Sequence, residues 1–124
     1  MIASNSKARK SAPLPGRPGR GSRTGRPTMA LLDLLGRRWA LRILWELRGG
    51  ESLKFRELQT RCGDVSSSVL NDRLRELREA RIVAAGGAQG YRLTAAGEQL
   101  LEALGPLDRW AKDWARTRRR RGPA

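Results

Sequence analysis

The chain has 124 residues, 39% of them hydrophobic, which suffices for one small domain. It contains no histidine and a single cysteine, which excludes an intramolecular disulfide and leaves no plausible zinc-ligand set, so we expect no metal and no cofactor. No apolar stretch approaches the roughly 20 residues of a membrane span, and the basic N-terminus lacks the apolar run of a signal peptide, so we expect a cytoplasmic protein.

The net charge of +14 is concentrated at the two ends of the chain. Residues 1–27 carry seven basic side chains and no acidic one, and residues 118–121 are four arginines, whereas the body between them holds 15 basic and 12 acidic side chains. We predict a disordered basic tail over residues 1–27, a folded domain over 28–117 and a basic C-terminal tail over 118–124. Such tails attract DNA, RNA or an acidic surface; a purely solubilising tail is the alternative.

Two helices are predicted at the start of the body. Thr28 is placed to cap the first helix, and Gly36 is placed to interrupt it. Its apolar positions are Met29, Leu31, Leu32 and Leu35. In the second helix, apolar residues recur at spacings of three and four, which indicates a buried stripe, and Gly49 and Gly50 end the helix. The stripe consists of Trp39, Ile43, Leu44 and Leu47.

A short helix over residues 55–61, closed by a turn at Gly63 and Asp64, precedes a longer helix over residues 66–80. At about 100° per residue, Leu70, Leu74 and Leu77 share one face of the longer helix, and polar side chains occupy the opposite face. A short helix, a tight turn and a second helix with a polar N-terminal half is the helix-turn-helix arrangement, whose second helix enters the DNA major groove. An ordinary solvated face is the alternative.

Candidate DNA contacts follow from the side chains on this polar face. Ser67 and Ser68 are short enough for close backbone approach, Asn71 suits adenine edges, and Arg75 suits guanine or phosphate. The full set of predicted DNA-binding residues is Lys54, Arg56, Ser66, Ser67, Ser68, Asn71, Asp72, Arg75, Gln89 and Arg92.

Residues 82–94 are predicted to form a β-hairpin wing. Two short apolar segments flank the glycine-rich turn at residues 86–90, as in a hairpin. Gln89 and Arg92 are expected to contact the minor groove or phosphates, and a purely structural hairpin is the alternative. The predicted fold is α+β, mostly α: a winged helix-turn-helix with extra N- and C-terminal dimerisation helices.

After the wing, Thr94 is placed to cap another helix, and Gly105 and Pro106 to break it, giving a helix hairpin or a kinked pair. The apolar surface near the chain's end exceeds what a small core needs, so we expect a homodimer interface; packing within the monomer is the alternative. The predicted interface residues are Met29, Leu32, Leu35, Leu104, Leu107, Trp110 and Trp114. Trp39 and Trp45 are candidates for a small-molecule effector pocket, with core packing as the alternative.

Several segments carry a family resemblance. The runs LDLLGRRW (32–39), FRELQ (55–59) and YRLTAAG (91–97), with Ile82 and Val83 between them, resemble the HxlR-type branch of the MarR-like winged-helix regulators over residues 27–110. The resemblance implies a dimeric bacterial transcription regulator that binds a palindromic operator, with the dimer made by terminal helices.

Three positions depart from the family pattern. Many members have a Cys-Pro pair before the first helix, which some use to sense electrophiles or oxidants; here the pair is Arg26-Pro27, which excludes sensing at that position. Cys62 lies beside the predicted turn and is expected to be a small buried hydrophobe rather than a reactive thiol. Arg81 stands where the family usually has glycine after the recognition helix, and the wing is shorter than usual.

These features favour a sequence-specific transcriptional regulator, a repressor, that acts as a homodimer on double-stranded DNA. The alternatives are a non-specific nucleoid-type DNA-binding protein and a protein-interaction module on the same scaffold. We do not expect an enzyme, because no nucleophile and base can be paired at a recognisable spacing.

Overall fold

The computed structural model describes residues 12–17 and 26–121, with side chains described as far as residue 119. Its elements within these ranges are α1 (Pro27–Leu35), α2 (Ala40–Glu46), a 3-10 turn (Arg48–Gly50), α3 (Phe55–Arg61), α4 (Ser67–Glu79), β1 (Val83–Ala85), a 3-10 turn (Gly87–Gln89), β2 (Tyr91–Leu93) and α5 (Ala95–Arg121). This mostly helical order with a small antiparallel sheet is the predicted one. Over the described ranges, no helix combines the length and apolarity needed to cross a membrane.

The core is built from aliphatic side chains of α1 to α4 and the wing. The three leucines predicted to face inward from α4 are all at most 2% exposed. They pack with residues of the preceding helices and the strands: Leu34, Ile43, Leu44, Leu47, Leu58, Val83 and Leu93. Because the apolar face of α4 is fully used in this core, its polar face is the one left to solvent.

Helix α1 begins differently from the prediction. It starts at Pro27, with Arg26 as the N-cap residue and no side-chain capping hydrogen bond, so the predicted cap at Thr28 is wrong. A proline at the first helical position has a suitable φ and lacks an N–H that would need a partner, so the helix starts there without a cap. The predicted interruption at Gly36 is confirmed, since Gly36 follows the last helical residue.

The wing is a two-stranded antiparallel sheet in which Val83 pairs with Leu93 and Ala85 with Tyr91. Leu53 adds a single bridge to Tyr91: the Leu53 N–H donates to the Tyr91 carbonyl at 2.9 Å, and the Tyr91 N–H donates back at 2.7 Å. Gly90 has a φ of 92°, and a Cβ built there would lie 2.3 Å from the Leu53 carbonyl oxygen. The wing therefore closes against the segment before α3 only because residue 90 is a glycine.

Helix α5 is continuous from Ala95 to Arg121, with Pro106 inside it, so the predicted break at Gly105 and Pro106 is wrong. A proline removes one i→i−4 hydrogen bond, and the residue here is exposed, so water can reach the freed backbone carbonyl. The predicted cap is confirmed, because Thr94 Oγ1 accepts from the Gly97 N–H at 3.1 Å.

The C-terminal end of α4 keeps a glycine-type geometry without a glycine. Arg81 has a φ of 61°, the Arg81 N–H donates to the Arg78 carbonyl, and the Ile82 N–H donates to the Leu77 carbonyl, both at 2.9 Å. These two bonds form a Schellman motif, which normally places glycine at the left-handed position. The end of α4 is thus formed in the usual way, although Arg81 stands where the family usually has glycine.

Part of the predicted tails falls within the described residues. Residues 12–17 form a turn in which the Arg17 N–H donates to the Leu14 carbonyl at 3.0 Å, and Ala12 is 1% exposed. At the other end, α5 continues through residues 118–121. In these two places the structure differs from the tails predicted for 1–27 and 118–124; residues 1–11, 18–25 and 122–124 lie outside the described residues.

Candidate DNA-binding surface

The N-terminal turn of α4 presents a group of small polar side chains to solvent. Ser66 is the N-cap, and its Oγ accepts from the Val69 N–H at 3.3 Å. Ser67, Ser68 and Asn71 are exposed. Ser66 is therefore used to start the helix, while the other three lie at the helix end that enters the major groove in helix-turn-helix proteins.

The turn between α3 and α4 is held by Gln59. Its Nε2 donates to the Val65 carbonyl at 2.8 Å and to Ser67 Oγ at 3.2 Å, and its backbone carbonyl accepts from the Asp64 N–H at 2.9 Å. Gln59 thus fixes where α4 begins relative to α3. Sequence reasoning did not assign it this role; an amide at the end of the short helix, facing a turn of irregular backbone, was the available signal.

Further along α4, Asp72 and Arg75 are half-buried and face each other with 3.9 Å between Asp72 Oδ1 and Arg75 Nη2. The Arg75 side chain is only 35% exposed. The sequence predicts that Arg75 contacts guanine or phosphate; in the structure it lines an open cleft between α4 and the first strand of the wing.

Two predicted cations precede and begin α3. Lys54 and Arg56 have exposed side chains with no ion-pair partner among the described residues. The Lys54 N–H donates to Glu57 Oε1 at 2.9 Å, which helps α3 to start at Phe55. These two charges lie on the helix-turn-helix unit and are free to meet phosphate.

The predicted wing residues are also exposed. Gln89 lies in the 3-10 turn at the tip, and Arg92 lies on β2 opposite Ala84. A Cβ built at Gly86 would lie 3.1 Å from Arg92 Nη1, so the arginine side chain extends across the hairpin toward its tip.

Other cations near the domain's surface are engaged within the chain. Arg61 pairs with Glu51 at 3.1 Å, and this contact raises the pKa of Arg61 above its ordinary value. Arg42 pairs with Glu46 at 2.9 Å and donates to the Arg61 carbonyl at 2.7 Å. Arg42 and Arg61 are therefore paired with acidic side chains of the same domain. Because such pairs use up most of the acidic side chains, a few cations stay unpaired although the net charge of the body is small.

The residues predicted for a dimer interface divide into two groups. Leu32, Leu107, Trp110 and Trp114 are each more than half exposed, and Met29 and Leu104 are half-buried. The rings of Trp110 and Trp114 stack with centroids 5.7 Å apart, and the Arg118 guanidinium lies 5.9 Å from the Trp114 ring centroid. Leu35, in contrast, is buried in the protomer's own core.

The two tryptophans named for an effector pocket have different surroundings. Trp39 is half-buried and packs against the core, with the Arg38 guanidinium 5.5 Å from its ring centroid. Trp45 is 53% exposed, and the Arg48 guanidinium lies 3.9 Å from its ring centroid.

Cys62 follows α3 and is 1% exposed. Burial raises the pKa of its thiol, opposed by the charge of Arg42 and reinforced by that of Glu46. The thiol is therefore a small core group, as predicted.

Comparison with known proteins gives a consistent result. Residues 34–119 match the sequence model of the HxlR-like helix-turn-helix family. The chain is 32% identical over 89 residues to YvaP of Bacillus subtilis (strain 168), an HTH-type transcriptional regulator that is itself uncharacterised; the match covers 67% of this chain and 82% of that protein.

Two solved structures resemble the fold. A crystal structure of quinone-bound YodB from B. subtilis superposes with a TM-score of 0.65 at 29% identity and covers 69% of this chain and 94% of that one. A structure described as a possible HxlR family transcriptional factor from Thermoplasma volcanium GSS1 has a TM-score of 0.58 at 26% identity, with 69% and 82% covered. The predicted fold and family resemblance are thereby confirmed, and the chain belongs to the HxlR-like helix-turn-helix family of DNA-binding transcriptional regulators.

Proposed function

We propose that this protein is a sequence-specific repressor that binds a palindromic operator as a homodimer. The observation that carries the proposal is the exposed set Ser67, Ser68 and Asn71 at the start of α4, held in position by Gln59. In helix-turn-helix proteins the N-terminal residues of the second helix read base edges in the major groove. Lys54, Arg56 and Arg92 supply the flanking phosphate contacts.

The dimer is proposed from the exposed apolar side chains of α1 and α5. Leu32, Leu107, Trp110 and Trp114 are large and more than half exposed in the single chain, and side chains of this kind are enriched in the buried centres of interfaces. A two-fold dimer places its two recognition helices about 34 to 36 Å apart, in successive major grooves on one side of the duplex. The operator then has two-fold symmetry, and a bound dimer blocks polymerase.

The dimer is tested by sedimentation at micromolar concentration. Trp114→Glu introduces a charge into the proposed interface and is expected to give a monomer. Trp45→Glu is the matched control, because Trp45 is equally exposed but lies on α2. A wild-type protein that sediments as a monomer, or equal effects of both substitutions, would contradict the dimer.

Sequence-specific DNA binding is tested by selecting the duplexes that the protein binds from a pool of random sequences. We expect one enriched palindromic motif. Asn71→Ala should then weaken binding to that motif by about 1 to 3 kcal/mol and leave random DNA nearly unaffected, because Asn71 is proposed to contact a base. Gln99→Ala removes an exposed amide from α5 and serves as control. A pool without enrichment would favour the non-specific alternative.

Repression is tested with a reporter whose promoter overlaps the selected motif. We expect wild-type protein to lower expression and the Asn71→Ala variant to restore most of it. Higher expression with the wild-type protein would contradict the repressor assignment while leaving DNA binding intact.

A response to a small molecule also stays a prediction. YodB is described with a bound quinone, but the single cysteine of this sequence is buried with a raised thiol pKa, so we do not propose a thiol-based response. Thermal-shift screening against aromatic and quinone compounds, with Trp39→Leu and Trp45→Leu variants, tests a non-covalent effector beside these tryptophans.

A further inference from the structure

An open cleft lies between the C-terminal half of α4 and the first strand of the wing. It is lined by Arg75, Arg78 and Glu79 on the helix side and by Val83, Ala84 and Ala85 on the strand side. The strand side carries only small side chains, so a ligand can approach the two guanidinium groups closely. We call this feature the wing cleft.

The two arginines of the wing cleft have unused hydrogen-bonding capacity. Arg78 is exposed and has no ion-pair partner among the described residues. Arg75 Nη2 lies 3.9 Å from Asp72 Oδ1, a distance too long for a hydrogen bond, and the Arg75 side chain is 35% exposed, so the outer end of its guanidinium can still donate to a ligand. Guanidinium groups in this state suit a phosphate, which accepts several charge-assisted hydrogen bonds at once.

Glu79 is the acidic residue among those lining the cleft. It forms an ion pair with an arginine of the N-terminal segment, which is distant in the sequence. Arg17 Nη1 lies 3.1 Å from Glu79 Oε2 and also donates to the Ala12 carbonyl at 3.2 Å. The same arginine therefore closes the turn of residues 12–17 and fastens it to α4. With Glu79 neutralised in this way, the wing cleft keeps the charge of Arg78 and the part of the Arg75 charge that Asp72, 3.9 Å away, does not offset.

The position of the cleft indicates which phosphate it would meet. At about 100° per residue, Arg75 and Glu79 lie on the same stripe of α4 as Ser68, the face proposed to enter the major groove. The DNA backbone bordering that groove would pass between the helix and the wing. A backbone phosphodiester is therefore the ligand whose chemistry and location both fit.

We propose that the wing cleft binds a DNA backbone phosphate through Arg75 and Arg78, and that Arg17 keeps the cleft cationic by pairing with Glu79. This inference rests on the proposed DNA-binding function and extends it to Arg78, Arg17 and Glu79, to which no role has been assigned so far. Arg17 lies before residues 34–119, the part that matches the family, so its contribution belongs to this chain's own N-terminal segment.

The phosphate contact is tested by measuring binding to both operator and random duplexes as a function of salt. Arg78→Gln should weaken binding to both by about fivefold per protomer at 0.15 M salt and reduce the salt slope by about 0.9 per protomer. Lys112→Gln removes the same charge from α5, away from the cleft, and should have little effect. Arg78→Lys keeps the charge and should restore the salt slope, but it should recover only part of the affinity, because lysine cannot reproduce the guanidinium hydrogen bonds.

The role of Arg17 is tested by a double-mutant cycle with Glu79. Arg17→Gln should weaken binding by up to about fivefold more than Lys112→Gln, which is the upper range for an exposed ion pair, and Glu79→Gln should strengthen binding. The double variant has the wild-type net charge and should bind within about twofold of wild type. Thermal unfolding of each variant shows that it is folded.

Two results would overturn the inference. Equal losses for Arg78→Gln and Lys112→Gln would remove the phosphate site, and a lack of recovery in the double variant would remove the role of Arg17. Because random DNA alone suffices for these measurements, they remain decisive even if selection yields no operator, which is the result that would refute the proposed function.

Discussion

Arg37, in the turn between α1 and α2, forms an ion pair with Glu76 of α4. Glu76 is 3% exposed, and its other carboxylate oxygen lies 2.5 Å from Arg73 Nη1. This buried carboxylate therefore connects the turn between α1 and α2 to α4, the helix proposed to contact DNA bases. The two arginines are about one-fifth exposed, so water still solvates part of each positive charge.

We expect Glu76→Gln to lower the free energy of unfolding by about 1 to 3 kcal/mol, because two partly buried guanidinium groups lose their ion pairs with Glu76. Urea denaturation at fixed protein concentration measures the change. Glu102→Gln, an exposed position on α5, should change the same quantity by less than about 0.5 kcal/mol. Equal values for the two variants would show that the buried pair contributes little.

Arg81→Gly is expected to stabilise the protein. Arg81 has a φ of 61° in an intact Schellman motif, and a left-handed conformation costs a residue with a Cβ about 1 to 2 kcal/mol. Ala80→Gly is the matched control: Ala80 has a φ of −77°, so glycine there should destabilise by up to about 1 kcal/mol. Thermal unfolding of both variants gives opposite shifts in Tm if this account holds.

The elements that sequence reasoning placed well are those with a clear period. The leucines of α4 recur at spacings of four and three, so its buried face and its polar face followed directly, and the glycine-rich turn defined the wing. The starts of helices were less predictable, since Pro27 and Thr28 are both reasonable first residues. Pro106 predicted a break that the long, exposed α5 does not have.

The contacts between distant segments could not be predicted from the sequence. Nothing in the spacing of Arg17 and Glu79, or of Arg37 and Glu76, indicates that they meet, because ion pairs leave no periodic pattern. Gln59 is similar, since its role depends on the path of the turn that follows it. The candidate site was therefore predicted as a set of exposed side chains, without the residues that hold them in place.

Gly90 and Gly87 provide a test of how the wing is fastened to the domain. Both have positive φ, but a Cβ at Gly90 would clash with the Leu53 carbonyl oxygen, whereas no atom of the described residues lies within 4 Å of one at Gly87. We expect Gly87→Ala to cost about 1 kcal/mol and Gly90→Ala clearly more, because it also breaks the Leu53 bridge to Tyr91. Urea denaturation measures the free energy of unfolding of the two variants. Similar losses would mean that the Leu53 bridge to Tyr91 contributes little to stability.

Cys62 should be unreactive in the folded protein and should make stability depend on pH. Burial raises the pKa of its thiol, so the folded state keeps the thiol neutral at pH values where the unfolded chain, with an ordinary thiol pKa of about 8.5, has begun to ionise. The stabilising contribution is therefore complete below about pH 8.5 and is lost as the pH rises toward the raised pKa. The free energy of unfolding of wild type should fall more steeply in this range than that of Cys62→Ala, in which all other titrating groups are retained. Labelling with N-ethylmaleimide at pH 7.5 should likewise be slow in the native protein and fast in urea; rapid stoichiometric labelling of the native protein would contradict the burial on which both expectations depend.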